Sequence, residues 1–234
     1  MTILTALQSA AIRLIGERPS VFFGSSEQMH IELCDLINEV ANDIVDFADW
    51  QGLTKLAQIN GDGTTTEFAL PPDYSRQLLH ADIQDTNSWL WGYCRVTDIN
   101  DFTYWRDRGF TGFPGCWIIY QDQIHFSPAP SDGTTATYPY ISNQYAVSGD
   151  TLAPKAQFDD DTDTFKLNER LLTLGLVWRW REMKKMDFSG DQEAFMLALS
   201  ESAAKDKGSR VYRSGRRTPM RGTYLAWPWQ LGPA

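Results

Sequence analysis

Apolar residues recur at helical spacing in four stretches of the chain. Ile3, Leu7, Ala10, Ala11, Leu14 and Ile15 predict a helix over residues 2–16, stopped by Gly16 and Pro19. Met29, Leu33, Leu36, Ile37, Val40, Ile44 and Phe47 form the cleanest stripe and predict a helix over 26–49. Ser25 and Gln28 are spaced to make a capping box ahead of it. A third helix is predicted over 167–186. Leu167, Leu171, Leu174 and Trp178 line one edge of it, and Leu172, Leu176, Trp180 and Met183 carry the apolar arc past half the circumference. Lys166, Arg170, Thr173, Arg181 and Lys184 are left for a polar strip. A helix so widely apolar must be covered on more than one side. Carboxylates before its start and Lys184–Lys185 at its end suit the helix dipole. After a short connection at 187–190, a fourth helix over 191–207 carries Phe195, Ala198, Leu199 and Ser202 on one side. So short a link predicts an αα-hairpin.

Between these helical halves the period changes to that of strands. The runs 54–59 and 65–70 flank Asn60-Gly61-Asp62-Gly63, which predicts a hairpin. The prolines of Leu70-Pro71-Pro72-Asp73-Tyr74 end the second run, with Asp73 as a turn former. Further β-rich runs are 78–84, 89–96, 116–120, 123–127 and 135–147, and Gln121–Asp122 predicts a second hairpin. Residues 97–108 suit a short helix with Thr97 or Asp98 as N-cap. The resulting expectation is an α+β protein. N-terminal helices (1–52) and a C-terminal helical hairpin (150–207) form a helical bundle core, with an antiparallel β subdomain (53–149) inserted between them. Residues 208–234, with four Gly and three Pro, lack any period and read as an extended arm.

Charge sharpens this division. The chain carries a formal −9, yet residues 207–234 hold six basic side chains and no acid, which leaves −15 on the rest. An acidic body with a basic tail argues against general DNA coating and for a tail that seeks an acidic surface. Between Pro19 and Thr54 there are seven acids and no Lys or Arg. Such a face is ordinarily solvated. Alternatively it is a surface kept negative, for a neighbour's basic tail or to repel DNA from a channel wall. Arg179 falls at the centre of the third helix's apolar arc, among Leu172, Gly175, Met183 and Met186. A cation there requires a carboxylate or several carbonyls, from its own chain or a neighbour.

Few residues invite catalytic chemistry. The acidic run Asp159–Asp163 fails as an EF-hand, because Thr164 and Arg170 stand where Gly and Glu are needed, so it reads as a helix-flanking loop. The Gly-Asp-Gly at 61–63 is too short for a phosphate cradle and no Gly-Lys-Ser/Thr follows. His30, His80 and His125 stand far apart in sequence, outside any nucleophile motif. Carboxylate pairs carry no weight in a chain with thirty acids. Cys34, Cys94 and Cys116 are an odd, widely spaced set, which argues against a disulfide framework and for a reduced, cytosol-made protein. The N-terminus lacks a signal-peptide pattern, and no stretch is apolar enough to span a membrane. No cofactor or metal is expected. Trp89, Trp91, Tyr93, Trp105, Trp117, Tyr138, Tyr140 and Tyr145 could form a platform for sugar rings, but core and interface packing is the better reading. Trp227 and Trp229 differ, since two Trp around Pro228 on an arm cannot bury themselves locally and must dock.

The string Asp-x-Asp-Thr-x-x-Leu-Asn-Glu-Arg-Leu-Leu-Thr-Leu-Gly-x-x-Trp-Arg-Trp from Asp161 to Trp180, followed by Met-Lys and Asp187-Phe188, resembles the head-to-tail adaptor proteins of tailed bacteriophages. The likeness is densest over 159–212 and extends more loosely to the N-terminal helices and to the Leu-Pro-Pro-Asp-Tyr element. It implies a non-enzymatic virion protein of the neck, assembled in the host cytoplasm. Twelve copies would form a ring joining the portal to a tail or nozzle protein, with DNA passing through without sequence-specific binding. The expected partner-binding residues are Arg210, Arg213, Arg216, Arg217, Arg221, Tyr224, Trp227 and Trp229. The expected ring or interface residues are Arg179, Glu32, Asp35, Glu39, Asp43 and Asp46. The alternatives are another phage tail-completion or nozzle protein, or a carbohydrate-binding β module.

Overall fold

The computed structural model describes residues 2–78, 83–85, 93–108 and 115–206. Five helices and eleven short strands make the chain mixed α+β among these residues. They divide into two compact units, one of residues 2–54 with 141–206 and the other of residues 55–140.

The first unit holds four of the helices. Helix α1 (Ile3–Ile15) buries Ile3, Ala6, Leu7, Ala10 and Ala11 and ends at Gly16, whose φ of 80° only glycine adopts cheaply. Helix α2 (Gln28–Phe47) buries Leu33, Leu36, Ile37, Val40, Ala41, Ile44 and Val45. The predicted capping box does not form, and Glu27 is the N-cap with no side-chain bond. The Ser25 hydroxyl is instead engaged by His30, with its Oγ 2.8 Å from Nδ1, and accepts the Glu27 N–H at 3.3 Å. The buried imidazole competes successfully for the hydroxyl that would have capped the helix.

Helix α4 (Glu169–Met183) is capped by Asn168, whose side chain accepts the Arg170 N–H at 3.0 Å. It packs against α1, α2 and α5 (Ser189–Asp206), which answers the wide apolar arc with cover on several sides. Leu171 through Thr173 and Gly175 through Trp178 are buried in succession. Thr173, expected on the polar strip, lies under α1, where its hydroxyl meets the Ala6 carbonyl at 3.4 Å. Met183, expected in the apolar arc, is exposed at the helix end. Gly175 sets the approach of α2, because a Cβ there would overlap Val40 Cγ1 and come within 3.2 Å of Phe195 Cε2. Arg181 pairs with Asp191 across the short α4–α5 connection.

A small sheet in the same unit pairs β9 (Ala146–Val147) with β10 (Pro154–Lys155) and β11 (Thr164–Phe165). Asn38 of α2 ties it down. Its side chain accepts the Phe158 N–H (2.8 Å) and the Tyr145 hydroxyl (3.1 Å), and donates to the Phe158 carbonyl (3.1 Å). Tyr145, Phe158 and Phe165 pack edge to face around this point.

The other unit contains two sheets. One is ordered β1 (Thr54–Asn60), β8 (Thr135–Ser142), β3 (Tyr74–Gln77), with β4 (Gln84–Asp85) also pairing with β8. The second is ordered β2 (Glu67–Ala69), β7 (Gln123–Ser127), β6 (Gly115–Tyr120), β5 (Tyr93–Arg95). The predicted 60–63 hairpin is therefore wrong, since its two strands enter different sheets. The Gly61 N–H donates to the Thr134 carbonyl (2.8 Å), and a Cβ on Gly61 would lie 2.7 Å from the Pro130 carbonyl oxygen. Asp62 turns inward on its own loop, accepting the N–H groups of Thr64 and Thr65. The hairpin at Gln121–Asp122 does form, with both residues near φ 55° as a type I′ turn requires. The predicted 135–147 strand is two strands, β8 and β9, parted at 143–145.

The β region is not wholly antiparallel. β5 runs parallel to β6, and the intervening chain carries helix α3 (Ile99–Asp107), as a parallel pair needs a long crossover. Asp98 caps α3 by accepting the Asn100 N–H at 2.7 Å. The predicted strands at 78–84 and 89–96 lie largely outside the described residues, which retain β4 and β5.

Candidate assembly surface

The interface-candidate residues on α2 and α4 converge because Gly175 lets the two helices approach closely. Beyond that point α4 and its C-cap present Arg179, Trp180 and Lys184 to the acids of α2, a helix with no Lys or Arg of its own. Arg179 Nη2 lies 2.6 Å from Asp43 Oδ2 and 3.7 Å from Glu39, and Nη1 lies 3.3 Å from Glu182. Burial disfavours the charged guanidinium, but the bonds to Asp43 and the field of Glu39 outweigh it and raise its pKa. The guanidinium also lies over the Trp178 ring, 4.3 Å from its centroid. Arg179 thus finds its carboxylates within its own chain.

Glu32 forms the other end of this seam. It accepts from Lys184 Nζ at 2.7 Å, from the Trp180 indole N–H at 3.0 Å and from Gln28 at 3.2 Å. The Lys184 bond holds the Glu32 carboxyl below its ordinary value, against the opposing effect of burial. Three of the five α2 candidates, Glu32, Glu39 and Asp43, are therefore engaged by α4. Asp35, Glu39, Asp43 and Asp46 are all exposed, and Glu32 is half-buried. The expected partner-binding residues, Arg210, Arg213, Arg216, Arg217, Arg221, Tyr224, Trp227 and Trp229, lie outside the described residues.

The acidic run is a structural clasp. Asp163 is fully buried and accepts the N–H groups of Asp159 (3.0 Å) and Asp160 (3.2 Å) and the Lys155 ammonium (2.8 Å). Asp161 accepts the N–H groups of Phe22 (2.9 Å) and Phe23 (3.2 Å). The carbonyls of Asp163 and Asp161 receive the first N–H groups of α1, from Ile3 (2.8 Å) and Leu4 (3.3 Å). Charge counting alone could not separate this clasp from a solvated loop. Only the spacing Asp160-x-Thr162, in which Asp160 accepts from Thr162, hinted at a locally bonded turn.

Most of the described residues weighed for other chemistry are accounted for by packing. Tyr93, Trp117, Tyr138, Tyr140 and Tyr145 are buried and present no ring platform for a sugar, while Trp105 is half-exposed on α3 and Trp89 and Trp91 lie outside the described residues. Asp73 is buried and accepts from Lys55 (2.5 Å) and the Tyr140 hydroxyl (2.8 Å), a bond that, after burial, helps push Tyr140 up. His30 lies between Ser25 and Glu27, its Nε2 3.3 Å from the carboxylate. Its ring is buried and packed against Phe22, which makes this cluster a lock on the start of α2. Among the described residues, no group of three or more His, Cys, Asp or Glu is placed to hold a metal, and no helix is long and apolar enough to cross a membrane.

What these residues bring together is helix-joining charge and core aromatics. The chain belongs to the SU10 adaptor protein family, whose model matches residues 1–223. It is accordingly a phage head-to-tail adaptor, from a structural, non-enzymatic family whose role implies interaction with portal and tail proteins. No curated protein matches the sequence.

Proposed function

We propose that this chain is one subunit of a twelve-membered ring that attaches beneath the portal, receives a tail or nozzle protein below and leaves a central passage for DNA. The observation that carries this reading is the family match over nearly the whole chain. In this reading the helices from both chain ends form the subunit's core, the β region is an insert, and residues 208–234 are an arm that grips the portal or an adjacent subunit. The arm's basic side chains and Trp227 and Trp229 suit an acidic, pocketed partner. Asp35, exposed on α2, adds negative charge for a neighbouring arm. No catalytic step is involved, and the protein assembles in the host cytoplasm before entering the virion neck. Native mass measurement and electron microscopy, on the chain alone and mixed with its portal, test the proposal. Ring particles bound to the portal are expected. A chain that stays monomeric and unbound with portal in excess would overturn it.

A further inference from the structure

Cys94 on β5 and Cys116 on β6 are direct register partners across the parallel pair. Adjacent strands lie about 4.8 Å apart, inside the span of about 4.4–6.8 Å that a disulfide bridges. Side chains of in-register parallel partners project from the same face of the sheet. Tyr93 and Trp117, one position along from Cys94 and Cys116 respectively, are buried, whereas Cys94 is exposed and Cys116 half-buried. All three cysteines of the structure are thiols.

We infer that Cys94 and Cys116 form an oxidisable dithiol that closes to an intrachain disulfide when the protein meets a small-molecule disulfide such as oxidised glutathione. The exposed Cys94 thiolate attacks one sulfur of oxidised glutathione, forming a mixed disulfide and releasing one reduced glutathione. The Cys116 thiolate then attacks the Cys94 sulfur and releases the second. Two thiol protons leave the protein, and the glutathione disulfide takes up the two electrons. Burial pushes the Cys116 thiol up against the opposing bond from Ser127, so the second step, in which Cys94 is a neutral mixed disulfide, quickens at alkaline pH. Cys34 lies on α2, outside the β5–β6 pair, and burial first and Asp161 second push its thiol up to about 12. The bridge would clamp both ends of the α3 crossover to one point of the sheet. The inference does not depend on the ring.

The full chain, incubated with oxidised glutathione at about pH 8.5, would be denatured, labelled with N-ethylmaleimide and weighed. The reduced chain labels at three cysteines, and the oxidised chain is expected to label only at Cys34. Peptide mapping should join the Cys94 and Cys116 peptides. Cys94→Ser and Cys116→Ser should each fail to form the bridge. An oxidised wild-type chain that still labels at all three cysteines, that keeps glutathione on Cys94, or that links Cys34 or a second chain would overturn the inference.

Discussion

Replacing Gly175 with Ala would place one methyl at the meeting point of α2 and α4, where two opposing effects can be weighed. In a helix interior Ala is favoured over Gly by about 1 kcal/mol. Against this, the new Cβ overlaps Val40 Cγ1 and lies 3.2 Å from Phe195 Cε2. Val40 is fully buried, and a β-branched side chain in a helix has essentially one χ1 rotamer, so it cannot swing away. Overpacking of this kind costs about 1–3 kcal/mol, and direct overlap belongs at the upper end. The net expectation is a loss of about 1–2 kcal/mol. Urea unfolding followed by far-ultraviolet circular dichroism would measure it. The same substitution in a Val40→Ala background has room for its methyl and should be neutral or mildly stabilising, giving a coupling of about 2 kcal/mol. Gly190, in the first turn of α5, meets nothing within 4 Å and makes Gly190→Ala a control for adding a methyl without a clash. A Gly175→Ala protein as stable as wild type, or one equally destabilised with and without Val40, would refute the close-packing argument.

Three further outcomes are expected. In a double-mutant cycle of Arg179→Met and Asp43→Asn, the coupling should be up to about 1 kcal/mol, because both groups are partly exposed, and should fade in high salt; zero coupling at low salt would show the pair to be incidental. Glu32 has a depressed folded-state pKa, so its stabilisation is present above the ordinary value of 4.5 and is lost as pH falls through the lower folded value. The thermal-midpoint advantage of wild type over Glu32→Gln should therefore shrink on acidification, and an advantage that persists or grows in acid contradicts the assignment. Deleting the residues after Ser209 should leave a folded body that no longer binds portal, since interface Trp and Arg often carry about 2 kcal/mol or more each. Unchanged portal affinity at the same salt would free the arm of that role, and loss of folding would assign it to the subunit's own core.

The sequence by itself determined the features that depend on near neighbours in the chain. The helices fall where apolar residues recur at their period, and Gly16 and Asp98 end or cap helices because these contacts span only a few residues. The Gln121–Asp122 hairpin was legible for the same reason, as its two strands need no partner beyond the turn. The need of Arg179 for a carboxylate was legible too, because a cation amid apolar positions carries its desolvation cost wherever the helix packs. Tertiary structure decided which carboxylates answer it, and thereby drew three of the five α2 candidates into the chain's own packing. It also sent the strands on either side of Asn60–Gly63 into different sheets. A turn signal marks a change of direction but cannot specify a partner, and Thr134 lies more than seventy residues from Gly61. The burial of Asp163 and the fit of Gly175 against Val40 likewise depend on segments over a hundred residues away, whose meeting leaves no periodic trace in either one.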